Sequence, residues 1–242
     1  MSIWSEISET LWPSPGSRDG PLPPLLLILT LITGMVDAAS FLMLGRVFVA
    51  NMTGNVVFLG FALAGAKGLS IPASLVGIGA FLAGGLAGGL LGKRLGGHRG
   101  RLLRAALGLQ LAIFVVAVVV AAAGGGDPIE HARRYVLIAL LAVAMGIQNA
   151  TARRLAVPEL TTTVLTMTLT GIAADSQLAG GKGAGLGRRV LAVGAMLAGA
   201  CFGALIVLDV STAVAIGAAA GILAFVAICA HQISRSDDAW AR

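Results

Sequence analysis

Six apolar runs, at positions 22–44, 71–91, 105–123, 135–152, 190–208 and 210–231, limit this chain more than any other feature. A helix needs about 20 predominantly apolar residues to cross about 30 Å of hydrocarbon, and each run approaches or meets that length. Only 12% of the residues are charged and 57% are hydrophobic, whereas an ordinary soluble domain is about 25% charged. The sequence therefore predicts an all-α polytopic integral membrane protein. Its 34 glycines sit largely inside the apolar runs, where small residues let helices approach closely.

Two further stretches are apolar at their ends but polar within. Positions 47–60 read VFVANMTGNVVFLG, and positions 161–175 read TTTVLTMTLTGIAAD. Polar groups are costly in hydrocarbon unless paired or facing a wet cavity, which makes both stretches candidate functional segments. Gly54 permits an unusual backbone conformation, and Asn51, Thr53 and Asn55 offer donors and acceptors around it.

Charge decides whether these stretches cross. If they do, the chain crosses eight times and the 17 Lys and Arg divide 8 to 9 between the two sides. If 46–66 and 160–180 are broken or re-entrant segments, six crossings remain. Only Arg46, Lys67, Arg133 and Arg134 then lie outside, leaving 13 of the 17 basic residues inside. The positive-inside rule selects six crossings, with both termini cytoplasmic. The same count accounts for the net charge of +6 without a nucleic-acid partner.

The two halves look like copies. Gly34, Asp37 and Ala38 match Gly146, Asn149 and Ala150 at an offset of 112, Thr53 matches Thr166 at 113, and FLAG at 81–84 matches MLAG at 196–199 at 115. Three crossings per half would invert the second copy relative to the first, an arrangement that brings discontinuous segments together near the midplane. The expected organisation is an N-terminal interfacial segment (1–20), a first membrane repeat (21–126), a second (127–233) and a C-terminal tail (234–242), with GGGDP at 124–128 as the boundary between halves.

The candidate substrate- or ion-binding residues are Asp37, Asn51, Thr53, Gly54, Asn55, Gln148, Asn149, Thr163 and Thr166. Asp37, a carboxylate inside a span, is the candidate proton-coupling group; the competing reading is that it caps a break or pairs with Arg46. For Asn and Thr the competing reading is packing between helices. Arg153 and Arg154 set topology or meet lipid headgroups. Acidic residues at 6, 9 and 19 argue against a signal peptide, and Ile3, Trp4, Ile7 and Leu11 share one face of an expected interfacial helix.

No His-Glu-x-x-His, Gly-x-Ser-x-Gly or Walker loop is present, so an enzyme is not expected. Cys201 and Cys229 lie in apolar runs without ligand spacing. Neither a metal nor another cofactor is expected.

At GMVDAASFLMLGRVFVANMTGNVVFLG, and again at MGIQNATARRLAVPELTTTVLT, the sequence resembles the YoaK family of bacterial membrane proteins, over positions 22–232. The resemblance implies a multi-pass inner-membrane protein and contributes nothing about substrate. Met167 departs from the Gly that often follows the Thr in second-half motifs of such proteins, which weakens the expected break there. The reading that results is an inner-membrane transporter for a small polar solute or ion. The alternative is a non-transporting subunit that binds lipid or a partner through the glycine faces at 84–92 and 199–203, which would also serve a homo-oligomer.

Overall fold

A computed structural model describes residues 3–14, 16–123, 127, 129–163, 165–176, 179–181, 185–235 and 238–241. Among the described residues there are nine α-helices and no strand. They are α1 (Ile3–Leu11), α2 (Leu22–Met43), α3 (Met52–Leu63), α4 (Ile71–Leu95), α5 (Arg99–Ala122), α6 (His131–Leu155), α7 (Leu165–Ala174), α8 (Leu186–Asp209) and α9 (Thr212–Ile233). A short 3-10 turn, Ala239–Ala241, follows. Six of the helices, α2, α4, α5, α6, α8 and α9, are long and apolar enough to cross a membrane.

Local chemistry sets several ends. Ser70, His98 and Ser211 accept main-chain N–H groups from Ala73, Arg101 and Val214 at the starts of α4, α5 and α9. Such caps satisfy amides that have no partner within the helix. Of the expected boundary at 124–128, only Asp127 lies among the described residues. Its carboxylate accepts the Thr212 N–H and hydroxyl, each at 2.9 Å, and so also caps α9.

Side-chain contacts fix which helix ends share a face. Arg99, at the start of α5, donates to the carbonyls of Leu155 at 2.6 Å and Trp240 at 3.2 Å, and pairs with Asp19 at 3.4 Å. Asp19 also holds Arg188 at 3.1 Å, and Glu6 of α1 accepts the Gly187 N–H at 2.9 Å. The starts of α2, α5 and α8 and the ends of α6 and α9 therefore meet on one face. The end of α4 joins them four residues before Arg99. The opposite face holds the remaining six ends.

Both α3 and α7 leave and rejoin the same face. The 12 residues of α3 and 10 of α7 make helices of only ~18 and ~15 Å, short of a crossing. The charge count and the fold agree on six crossings. The backbone breaks, however, precede the polar motifs. Left-handed backbone occurs at Gly45 and Arg46 before α3, and at Ala156, Glu159 and Thr162 before α7. Gly54 lies inside the first turn of α3, and what its missing side chain provides is room: a Cβ there would come within 2.7 Å of the Phe48 ring.

The long helices pair in a pattern that survives exchanging the halves. α2 packs on α8 and α6 on α4, α5 meets α9, α3 lies on α4, and α7 lies on α8. Glycines make the two closest crossings. A Cβ on Gly34 would overlap the Met196 carbonyl, and one on Gly199 the Leu31 carbonyl. At the other crossing, between α6 and α4, Gly146 meets the Phe81 carbonyl and Gly84 the Val143 carbonyl in the same way. Gly203 against Met35 and Gly88 against Ile147 complete the correspondence. Burial follows suit: in the most apolar 18 residues of each helix, 72% and 61% are buried in α2 and α6, 22% each in α4 and α8, and 33% each in α5 and α9. The central pair is thus α2 and α6. The outer faces of α4 and α8 present Leu82, Leu86, Leu197 and Leu205 to the surroundings, as a lipid-facing belt does.

Candidate functional site

One large cavity, about 1730 Å³, occupies the middle of the bundle. Its walls come from α2, α3, α4, α6, α7 and α8, including both short helices. Of the sequence candidates, Asp37, Asn51, Thr53, Gly54, Asn149, Thr163 and Thr166 line it, whereas Asn55 and Gln148 do not.

Asp37 stands one turn beyond the Gly34 crossing. Its Oδ1 accepts the main-chain N–H groups of Val49 at 2.9 Å and Ala50 at 2.8 Å, so the carboxylate holds the unwound chain that leads into α3. Asn149 takes the matching place on α6. Its Oδ1 accepts the Thr163 hydroxyl, and its Nδ2 donates to the Met145 carbonyl at 2.9 Å. In each half, one side chain next to a crossing glycine ties the short segment to the bundle. No ion pair joins Asp37 to Arg46 among the described residues.

Asn51 caps α3, with its Oδ1 accepting from Gly54 N–H at 3.4 Å. Thr53, in the first turn, is exposed. Asn55 turns the other way. Fully buried, it accepts the Phe48 N–H at 2.8 Å and donates to the Phe48 carbonyl at 2.6 Å. These two hydrogen bonds replace the helical partners Phe48 lacks. Gln148 is buried among α2, α5 and α6, where it accepts from Gln110 Nε2 at 2.8 Å and donates to Thr33 Oγ1 at 2.9 Å.

α7 is fixed from α8. Arg189 donates to the Gly171 carbonyl at 2.5 Å and pairs with Glu159 at 2.9 Å and Asp175 at 2.7 Å.

Two sets of lining residues were not among the binding candidates read from the sequence. Phe41, Phe48 and Phe58 form a ring cluster on the cavity wall, with centroids 4.9 to 5.8 Å apart. Their spacing in sequence is no stronger than that of any buried aromatic, and only the fold of the loop before α3 brings them together. Lys93, Arg153 and Arg154 line the cavity as well. The signal for these was present in their position at the ends of two spans, where topology explained it equally well.

The arrangement is that of a six-span helical membrane protein with a cavity walled in part by two non-crossing helices. The chain belongs to the family described as protein of unknown function (DUF1275), whose model matches residues 25–229. It is 34% identical over 155 residues to the UPF0700 transmembrane protein YoaK of Bacillus subtilis (strain 168), a match covering 62% of this chain and 65% of that relative. No solved structure matches.

Proposed function

We propose that the protein is a transporter of the bacterial inner membrane, with both termini cytoplasmic, that moves a small solute through the central cavity. The observation that carries this reading is the cavity itself, walled by both short helices and by the two glycine-tight helix pairs. Corresponding helices of the halves end on opposite faces, and their packing partners exchange when the halves are exchanged. We read this as a pair of inverted repeats, the arrangement in which one half rocks against the other around a fixed site. Asp37, the only carboxylate among the described lining residues, is our choice for the proton-coupling group.

The glycines at 84, 88, 199 and 203 are filled by helices of the same chain. That favours transport over docking of a separate partner on those faces.

The test needs no substrate. Single cysteines at Ala38 and Ala204, in a background lacking Cys201 and Cys229, are treated with a membrane-impermeant maleimide from either side of oriented vesicles. Transport requires at least one cavity position to react from both sides. Labelling from one side only, in both variants, would leave the cavity a closed-ended pocket and remove the reading.

A further inference from the structure

Where α8 begins, α1 lies across it in close contact. A Cβ on Gly187 would come within 2.8 Å of the Glu6 Cβ and 3.0 Å of the Ile3 carbonyl oxygen. Glu6 supplies the cap that α8 lacks at its own N-terminus, accepting the Gly185 N–H at 3.1 Å and the Gly187 N–H at 2.9 Å. A carboxylate suits the positive end of a helix. Gly187 and Leu205 stand five turns of about 3.6 residues apart and so share one side of α8. Leu205 is 58% exposed in the lipid-facing belt, and a Cβ on Gly194, on the same side, would meet nothing within 4 Å. Thus α1 is docked on the lipid side of α8. Depth follows from length. The 24 residues of α8 measure ~36 Å against ~30 Å of hydrocarbon, so its first turn stands in the headgroup layer.

The opposite side of α1 carries Trp4, Ser8 and Trp12 at four-residue spacing. Trp12 follows the last helical residue but keeps the register, its N–H bonding to the Ser8 carbonyl at 2.8 Å. At 76% and 75%, Trp4 and Trp12 are the most exposed large hydrophobic side chains among the described residues. No Lys or Arg occurs in α1, and both of its carboxylates are bonded elsewhere. Glu6 holds α8, while Glu9 accepts the Ser14 N–H at 3.0 Å and its hydroxyl at 2.7 Å. What remains is two indoles, each an apolar body with one N–H donor, the side chain that collects at headgroup level.

We propose that α1 is a membrane-surface arm, with Trp4 and Trp12 seated in the headgroup layer on the side where α8 begins, and that it steadies α7 from there. The partner of this face is the bilayer itself, held by the indoles and not by basic charge. The inference stands apart from the transport reading. Three consecutive residues of α8 carry the link inward. Gly187 holds α1, Arg188 pairs with Asp19 in the connection to α2, and Arg189 bonds the Gly171 carbonyl of α7 and pairs with Glu159 and Asp175. Leu165 and Thr166 of α7 wall the cavity. The turn that the arm grips is therefore the turn from which a cavity wall is hung.

The experiment is emission quenching of the unaltered full-length chain in phosphatidylcholine nanodiscs. Of the three tryptophans, Trp240 is 7% exposed and gives a constant background. Lipid brominated near the top of its acyl chains should remove most of the remaining emission, and aqueous iodide should quench it severalfold less than it quenches free tryptophan. Trp4→Ser with Trp12→Ser should abolish the lipid-quenched component. Strong quenching by iodide with none by brominated lipid would place the face in water. Shielding from both would give it to a second copy of the chain. Either result overturns the inference without any variant having to fold. For the link inward, Leu165→Cys in a background lacking Cys201 and Cys229 should react with maleimide several times faster once Trp4 and Trp12 are replaced by Ser. Unchanged reactivity would overturn the claim that the arm steadies α7.

Discussion

The Oδ1 atom of Asp37 lies 2.8 Å from the main-chain nitrogen of Ala50, thirteen residues along the chain, and 2.9 Å from that of Val49. One carboxylate oxygen thus serves two amides at the point where the chain is neither helix nor loop to water. The same carboxylate lines the cavity. An amide oxygen can take over the first task but carries no charge for the second. Asp37→Asn should therefore keep the fold, as Asn149 does in the matching place, and abolish any proton-driven movement of solute. Asp37→Ala should lose both, at roughly 1–3 kcal/mol for each orphaned amide. Thermal unfolding of the two variants in detergent separates them, and equal destabilisation would show that the hydrogen bonds are not what Asp37 supplies to stability.

A parallel expectation attaches to Asn55, for the opposite reason. It faces away from the cavity and is bonded to both main-chain groups of Phe48. Asn55→Ala should cost roughly 1–3 kcal/mol for each group left without a partner. It should also shift Phe48 out of the ring cluster, since the backbone that carries that ring loses its anchor. Near-native melting of Asn55→Ala would show that water replaces the amide and that the loop does not depend on it.

How the sequence foreshadowed this division is instructive. The six crossings and two non-crossing segments were legible, because hydrocarbon thickness and basic-residue placement act on long runs of residues at once. The paired glycines at 34 and 146 were visible as a repeat, but their role as crossing points needed the packing of α8 and α4. At single residues the reading was less sharp. Asn51, Asn55, Gln148 and Asn149 look alike in sequence, yet Asn55 and Gln148 spend their groups on backbone and neighbouring helices while Asn51 and Asn149 reach the cavity. Direction along a short helix decides which, and composition carries no direction. Gln110 went unnoticed because a lone glutamine in the apolar run at 105–123 has meaning only beside Gln148.

The Gln110 and Gln148 pair can be measured directly. Gln148 links α6 to α2 through Thr33 and to α5 through Gln110. Hydrogen bonds between membrane helices average about 0.6 kcal/mol, with values up to about 1.7. A double-mutant cycle with Gln110→Leu and Gln148→Leu should give a coupling inside that range, read from unfolding in denaturing detergent. A coupling of zero would mean that each glutamine finds another partner when its neighbour is lost.

Topology has its own check. Lys67→Cys lies in the loop between α3 and α4, and Gly97→Cys in the loop between α4 and α5, where a side chain meets nothing within 4 Å. In a cysteine-free background, impermeant maleimide should label position 67 only from the periplasmic side and position 97 only from the cytoplasmic side. Labelling of both from one side would mean that α4 does not cross.

The glycine crossings give the strongest prediction about the fold. Backbone carbonyls of Met196 and Leu31 occupy the space that a Cβ at Gly34 or Gly199 would need, and those of Phe81 and Val143 do the same at Gly146 and Gly84. Backbone yields less than a side-chain tip, so one methyl group at any of these positions must push two long helices apart. Overpacking of this kind costs about 1–3 kcal/mol even where neighbours can adjust. At Gly85 and Gly89, one residue after Gly84 and Gly88 on α4, nothing lies within 4 Å. There alanine relieves the backbone entropy of glycine, worth up to about 1 kcal/mol in a helix. Gly34→Ala and Gly146→Ala should therefore lower the melting temperature by similar amounts, as the exchange of halves requires. Gly85→Ala and Gly89→Ala should leave it unchanged or raise it. If Gly34→Ala destabilises and Gly146→Ala does not, the two crossings are not equivalent, and the description of the halves as copies fails at its most specific point.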